Sequence, residues 1–302
     1  MVERIPGPRR KSSRPPSQRV PTLRFENDQW RDGAGRVVGV DEVGVAPTCG
    51  AVVAAAVIMK PHARRIPGVR DSKTLSALQR ERLAPLIRGR AVAVGVGAAS
   101  VREIDAINIY HATHLAMRRA IARLGGHDHV LVDGNRIRGF ESLVGPYTAI
   151  VDGDARCYTI ACASIVAKVV RDRMMAKLAA RYPGYGWEHN QGYATRDHRD
   201  AIRALGLTPF HRRSFLALQR TLAGDQISLD LFDEAVETIE QQDALHELDR
   251  LDGVPDGRDA AVGDDLALDL DPATAAAIAE AEAMLRDGAG QHSSAAGADS
   301  IG

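Results

Sequence analysis

Asp41 and Glu42 stand side by side after the apolar run "VVGV", Asp133 closes "HVLVD", and Asp154 follows "YTAIVD" within "VDGDA". Ligands of α/β sheets gather at strand ends, so acids on different strands can converge on one point. Like charges held together repel and raise one another's pKa, a cost that a divalent cation removes. An all-oxygen donor set suits Mg2+ or Mn2+ rather than zinc. Four carboxylates can hold two such ions about 4 Å apart, one activating a water and one stabilising a leaving oxygen. That is the chemistry of phosphodiester hydrolysis, and the spacing fits a phosphatase as well as a nuclease. A lone acid after a strand is ordinarily a turn former or a helix cap. The dull role suits an adjacent Asp-Glu pair less well, because one buried run delivers two acids to one spot.

The elements that must position these acids follow from the hydrophobic pattern. Residues 36–59 read as a strand, a turn over Gly44–Gly50 and a second strand "AVVAAAVIM", both strands continuous apolar runs of the kind buried on both faces. Residues 76–88 read as a helix with Ser76 as N-cap, and 91–99 as a third strand. An amphipathic helix over 101–124 offers Ile104, Ile107, Leu115, Met117, Ile121 and Leu124 to a core. Strands over 129–133 and 147–152, a long helix over 157–181, and helices over 195–205 and 211–223 complete the pattern. The expected architecture is a mixed α/β sheet flanked by helices, with a helical C-terminal part.

This folded unit is expected over 34–223, between a basic Pro/Arg-rich tail over 1–33 and an acidic, largely disordered or partly helical tail over 224–302. Lysines and arginines number 39, as do aspartates and glutamates, yet the signs are separated along the chain. A basic middle with an acidic tail suggests a nucleic-acid-binding core. The longest apolar run is too short for a bilayer, which needs about 20 residues, and the N-terminus carries no apolar signal segment. A cytoplasmic protein without membrane contact is therefore expected, with Cys49, Cys157 and Cys162 as reduced thiols, and a monomer is the expected state. His111, His114, His127, His129, His189, His198 and His211 lack metal-ligand spacing and read as polar packing.

Many segments in order then resemble ribonuclease HII, on the ribonuclease H-like fold. They are "GVDEVG" at 39–44, "RDSKTLS" at 70–76, "EIDAINI" at 103–109, "VLVDG" at 130–134, "GDARCYTIACASIVAKVVRDR" at 153–173, "YPGYGW" at 182–187, "GYATRDH" at 192–198 and "TPFHRRSF" at 208–215. The resemblance implies hydrolysis of the RNA strand of RNA–DNA hybrids. It also implies nicking of duplex DNA 5′ of an embedded ribonucleotide, leaving 3′-hydroxyl and 5′-phosphate ends. By position, Asp41, Glu42, Asp133 and Asp154 would hold two Mg2+ or Mn2+ ions, with Asp41 shared. Tyr193 would stack on the deoxyribose after the ribonucleotide, and the 2′-hydroxyl would be read largely by backbone groups. Lys73, Lys168, Arg171, Arg212 and Arg213 are candidates for positioning phosphates, although Lys168 also reads as a snorkelling helix residue and Asp172 as a local partner of arginines.

The pattern departs from the family after the acids. Gly44, Val45 and Ala46 stand where Gly-Arg-Gly is usual, and Val45 cannot supply a charge-assisted hydrogen bond worth roughly 1.5–3 kcal/mol. Ala51, Gln191 and Ala194 replace a common proline, lysine and glycine. Retained cleavage with weakened or altered junction recognition is the expectation, with Arg136 or Arg138 as alternative phosphate contacts. The runner-up readings are a catalytically weak hybrid-binding protein and a ribonuclease HIII-like enzyme. "QISLDLF", Gln226–Phe232, resembles a bacterial sliding-clamp-binding peptide in which Gln226 bonds at a rim while Leu229, Leu231 and Phe232 fill a pocket. The same residues also suit a short strand or helix start packed on the core.

Overall fold

Strand β1 (Val37–Val43) is the middle of a five-stranded sheet ordered β3-β2-β1-β4-β5. The structure is a computed structural model and describes residues 20–223. The acidic tail, the clamp-like Gln226–Phe232 and the first nineteen residues lie outside the described residues. β2 (Val52–Met59) and β3 (Ala91–Ala99) run antiparallel on one side of β1, while β4 (His129–Asp133) and β5 (Tyr147–Ile150) run parallel on the other. The C-terminal ends of β1, β4 and β5 therefore lie at the same end of the sheet. Alanines oppose the acids across the β1–β2 ladder, Asp41 facing Ala55 and Glu42 facing Ala54. Small neighbours leave the carboxylates room. The fifth strand stops at Ile150, short of the expected 152, because Asp152 turns the chain with φ 55°.

Helices cover both faces. α2 (Ala77–Arg90) begins at Ser76 as expected, in a capping box with Gln79. It packs with α6 (Tyr158–Arg181) over one face, and α3 (Val101–Ala122) covers the other. α3 is not the continuous helix its periodicity predicts. Asn108 adopts φ 66°, and its Oδ1 accepts from the His111 N–H, so the asparagine ends one segment and caps the next. α6 lies directly on β1 at Gly39, where a Cβ would come within 2.3 Å of the Thr159 carbonyl carbon. A side chain there would lift the helix that roofs the acids.

Two boundaries differ from the sequence reading. Residues 24–31, expected in a loose tail, form α1 (Arg24–Arg31). Thr22 bridges Cys157, and the buried Glu26 accepts from the N–H and hydroxyl of Thr159 at the start of α6. The helix is held by these distant contacts rather than by its own periodicity. The helix expected over 211–223 begins only at Leu216, as α9 (Leu216–Ala223), because His211 pairs with Cys49 and Arg212 donates its N–H to the Thr48 carbonyl. Shorter helices α4 (Phe140–Val144), α5 (Gly153–Arg156), α7 (Trp187–Asn190) and α8 (Arg196–Leu205) complete the described fold. No helix among the described residues is long and apolar enough to cross a membrane. All three cysteines are free and buried.

Candidate active site

The pleat decides which acids meet. Val38 and Val40 pack toward α3, so Gly39 and Asp41 face α6. On β4, Val130 and Val132 also face α3, which turns Asp133 to the side of Asp41. Asp154 reaches the same side from α5, the single turn that leads into α6. One oxygen each from Asp41, Asp133 and Asp154 lies within 4.8 Å of the others. Glu42, the next residue, leaves the strand from the opposite side of the pleat and is not among these three mutually close oxygens. Glu42 nevertheless stays within the field of Asp133 and Asp154.

The cluster is electrostatically strained. Asp41 and Asp154 are only 5% and 7% exposed. Burial, and then repulsion from Asp133 and Glu42, lifts the Asp41 carboxyl well above its usual range. Burial and Asp133 push Glu42 up to about 7, and the same two causes push Asp154 to about 7. Asp133 is raised by burial but restrained by N–H bonds from Gly153 and Gly134 and by the Lys73 charge. Partial burial opposes the charge on Lys73, yet Asp154, Asp41, Asp71 and Asp133 more than offset it and hold the ammonium above its ordinary range. One lysine among four acids leaves negative charge uncompensated. Oxygen donors without imidazole or thiolate fit a hard divalent cation such as Mg2+ or Mn2+.

Two serines complete the site that the residue pattern did not single out. Ser164 of α6 hydrogen-bonds Asp41, and its hydroxyl lies 2.7 Å from that of Ser72. A lone serine in "ACASIVA" carries no periodic or spacing signal. Only the packing of α6 on β1 reveals its neighbour.

The basic candidates fall into two groups. Lys73 belongs with the acids. Lys168 pairs with Asp172 at 2.8 Å, and Asp172 also meets Arg80, so this lysine is half-buried in a structural network. Arg213 is exposed, its backbone N–H donating to Asp105. Arg212 was expected to meet a phosphate, but its side chain is fully buried and bonded to backbone carbonyls, as is that of Arg171. Both are removed from direct phosphate contact. Arg136 is exposed and lies 3.9 Å from Glu141.

Gly44, Val45 and Ala46 begin the turn after β1, with Gly44 at φ 94° and Ala46 outside the positive-φ region, so its methyl group adds no backbone strain. Tyr193 is 46% exposed in the segment after α7. Beneath it, the Trp187 indole donates to His198 Nε2 at 2.9 Å, and His198 Nδ1 lies 2.8 Å from the Tyr193 carbonyl. His211 Nδ1 accepts from the Thr208 N–H, leaving its Nε2 3.2 Å from that of His198. Both rings are held neutral, chiefly by burial, with His211 lowered to about 4. These two histidines are polar packing, as expected, and they support the exposed tyrosine.

Comparison with known proteins agrees with the architecture. The family profile for Ribonuclease HII matches residues 38–218. The ribonuclease HII of Thermosynechococcus vestitus is 54% identical over 197 residues, covering 65% of this chain and 90% of that protein. That of Ruegeria pomeroyi is 50% identical over 204 residues, covering 67% and 85%. Among solved structures, the ribonuclease H2 of Pyrococcus horikoshii superposes with a TM-score of 0.51 at 26% identity, covering 63% of this chain and 98% of that one. The RNase HII of Archaeoglobus fulgidus, solved as a complex with PCNA, gives a TM-score of 0.52 at 26% identity, covering 65% and 98%.

Proposed function

This chain belongs to the ribonuclease HII family of divalent-metal-dependent RNA–DNA hybrid endoribonucleases, and on that premise we propose that it also nicks duplex DNA 5′ of a single embedded ribonucleotide. The observation that supports this reading is the convergence of Asp41, Asp133 and Asp154 from three separate elements, with Glu42 beside them. Asp41, at the centre of the repulsion, would be the ligand shared between two Mg2+ or Mn2+ ions, and Glu42, Asp133 and Asp154 would complete the set. When bound, the ions supply positive charge for the attacking water and the leaving oxygen. Hydrolysis breaks the P–O3′ bond, so the phosphate stays on the 5′ end of the downstream strand and the proton passes to the 3′ oxygen. Ser164 orients Asp41, and Lys73 moderates the charge of the cluster when substrate phosphate approaches.

The turn Gly44-Val45-Ala46, just past Glu42, and the exposed Tyr193 would be the substrate-reading elements, with Tyr193 stacking on the sugar after the ribonucleotide. Val45 offers no charge to a phosphate, so discrimination of the RNA-to-DNA junction is weaker than an arginine there would confer. The tail peptide Gln226, Leu229, Leu231 and Phe232 is a site for a sliding clamp, a partner class supported by the PCNA complex of the archaeal relative. The decisive experiment is a nicking assay on a duplex with one ribonucleotide, in Mg2+ or Mn2+. Wild type is expected to cut and Asp41→Asn to lose at least about a thousandfold in rate. Wild type that binds hybrid but never cuts would establish a binding protein instead.

A further inference from the structure

Two guanidinium groups lie wholly inside the protein beside the turn that follows the acids. Arg212 donates Nε to the Gly50 carbonyl at 2.9 Å, Nη1 to that of Val45 at 2.7 Å and Nη2 to that of Gly44 at 2.5 Å. Arg171 donates Nε to the Ala51 carbonyl at 3.3 Å, Nη2 to that of Cys49 at 3.2 Å and Nη1 to that of Gln191 at 3.1 Å. Both side chains are 0% exposed. The acids they sense are engaged elsewhere: Asp172 pairs with Lys168 and Arg80, while Asp105 accepts from the N–H groups of Arg213 and Ser214. Burial, and then the neighbouring Arg171, brings Arg212 down to about 9. Two unneutralised cations sharing one interior are costly to bury, and their donors are spent almost entirely on one loop.

That loop and the two cations are shaped to each other. A Cβ at Gly44 would sit 2.1 Å from Arg171 Nε, so the glycine makes the arginine's seat. The Thr48 and Gly50 N–H groups donate to the Gly192 and Phe210 carbonyls, whereas those of Val45 and Ala46 meet no acceptor among the described residues. Arg171 also braces the segment that carries Tyr193, donating Nη1 to the carbonyl of Gln191, two residues earlier, at 3.1 Å.

We propose that Arg171 and Arg212 are positioning residues for substrate selection. They draw the loop's carbonyls inward, leave the Val45 and Ala46 N–H groups to the sugar–phosphate oxygens, and supply from behind part of the positive field that Val45 lacks. This rests on the reading of Gly44–Ala46 as a substrate-binding turn. A lysine at either position keeps the charge but cannot span three carbonyls, and a glutamine loses the charge as well.

The test is steady-state cleavage by Arg212→Lys, Arg212→Gln and Arg171→Lys, at a temperature where circular dichroism finds each variant folded. Substrates are a duplex with one ribonucleotide and a hybrid with a continuous RNA strand. For each lysine variant, KM on the single-ribonucleotide duplex is expected to rise about tenfold with kcat within about threefold, and for Arg212→Gln to rise further. A merely structural role would lower kcat on both substrates alike and leave KM unchanged, and that result overturns the proposal. KM within about twofold of wild type in folded variants overturns it too. If Asp41→Asn still cleaves, the active-site reading has failed instead. Should the arginine variants not fold, hydrogen exchange at the Val45 and Ala46 amides of the Asp41→Asn protein carries the test. Exchange is expected to slow when the ribonucleotide-containing duplex binds, and unchanged exchange refutes the assignment.

Discussion

The backbone N–H of Gly153 donates to Oδ1 of Asp133 at 2.6 Å, tying the end of β4 to the turn that carries Asp154. Two proposed metal ligands twenty-one residues apart are thereby held in one frame. A Cβ at Gly153 would lie 2.9 Å from that same oxygen and 2.8 Å from Ile160 Cδ1. Gly153→Ala is expected to cut hybrid cleavage by about tenfold or more and to raise the Mn2+ concentration needed for half-maximal activity. Titration of activity against Mn2+ checks this, and an unchanged curve would count against the hydrogen bond as a site-positioning contact.

Metal binding should depend on pH with a defined sign. Glu42 and Asp154 sit near 7 because burial and Asp133 disfavour their charged forms, against about 4 for carboxyls in an unfolded chain. A raised carboxyl pKa means the folded protein retains protons that the unfolded chain has released. Its stabilising contribution is therefore full below about pH 4 and lost as pH rises through about 7. A divalent ion must displace those protons, so its stabilisation grows over the same window. The rise in Tm caused by Mn2+ is expected to be larger at pH 8 than at pH 5.5. Comparing protein with and without Mn2+ at each pH cancels the buried histidines of the metal-free fold. An equal or smaller shift at pH 8 would contradict the proposed ligand set.

Val45 is half-buried against the α3-side core while its carbonyl is held by Arg212. Val45→Arg adds a side-chain cation to a turn whose backbone is already braced. Preference for the single-ribonucleotide duplex over the continuous hybrid is expected to rise about tenfold, the size of one charge-assisted hydrogen bond. Equal preference in the two proteins, measured as the ratio of kcat/KM values, would remove Val45 from the account of specificity.

The clamp proposal is tested by pull-down with a bacterial sliding clamp. Leu231→Ala/Phe232→Ala deletes the apolar anchors and is expected to weaken capture at least tenfold while leaving hybrid cleavage intact. Capture equal to wild type would show that these residues serve another purpose.

Much of the site was legible in the chain itself. β3 and β4 begin and end where the apolar runs do, and Ser76 caps α2 as its type and position require. The acids at the ends of "VVGV" and "HVLVD" were visible because a buried strand that ends in a carboxylate leaves it at the sheet edge. Those signals are local: residue type, alternation and the length of an apolar run. Sequence alone thus determined the five strands and the helices α2, α6 and α8, the acids that end β1 and β4, and which family the ordered segments resemble.

The tertiary structure decided which of these residues meet. Adjacent residues on a strand point to opposite faces, so the pleat and the placement of α6, rather than adjacency, joined Asp41 to Asp133 and Asp154 and set Glu42 apart. Arg212 lay in a basic motif that read as phosphate-binding, yet it closes onto Val45, 167 residues earlier in the chain, and is buried there. Charge and spacing do not encode burial. It arises only when distant segments pack together, and that packing turned an arginine expected at the substrate into one that shapes the loop behind it.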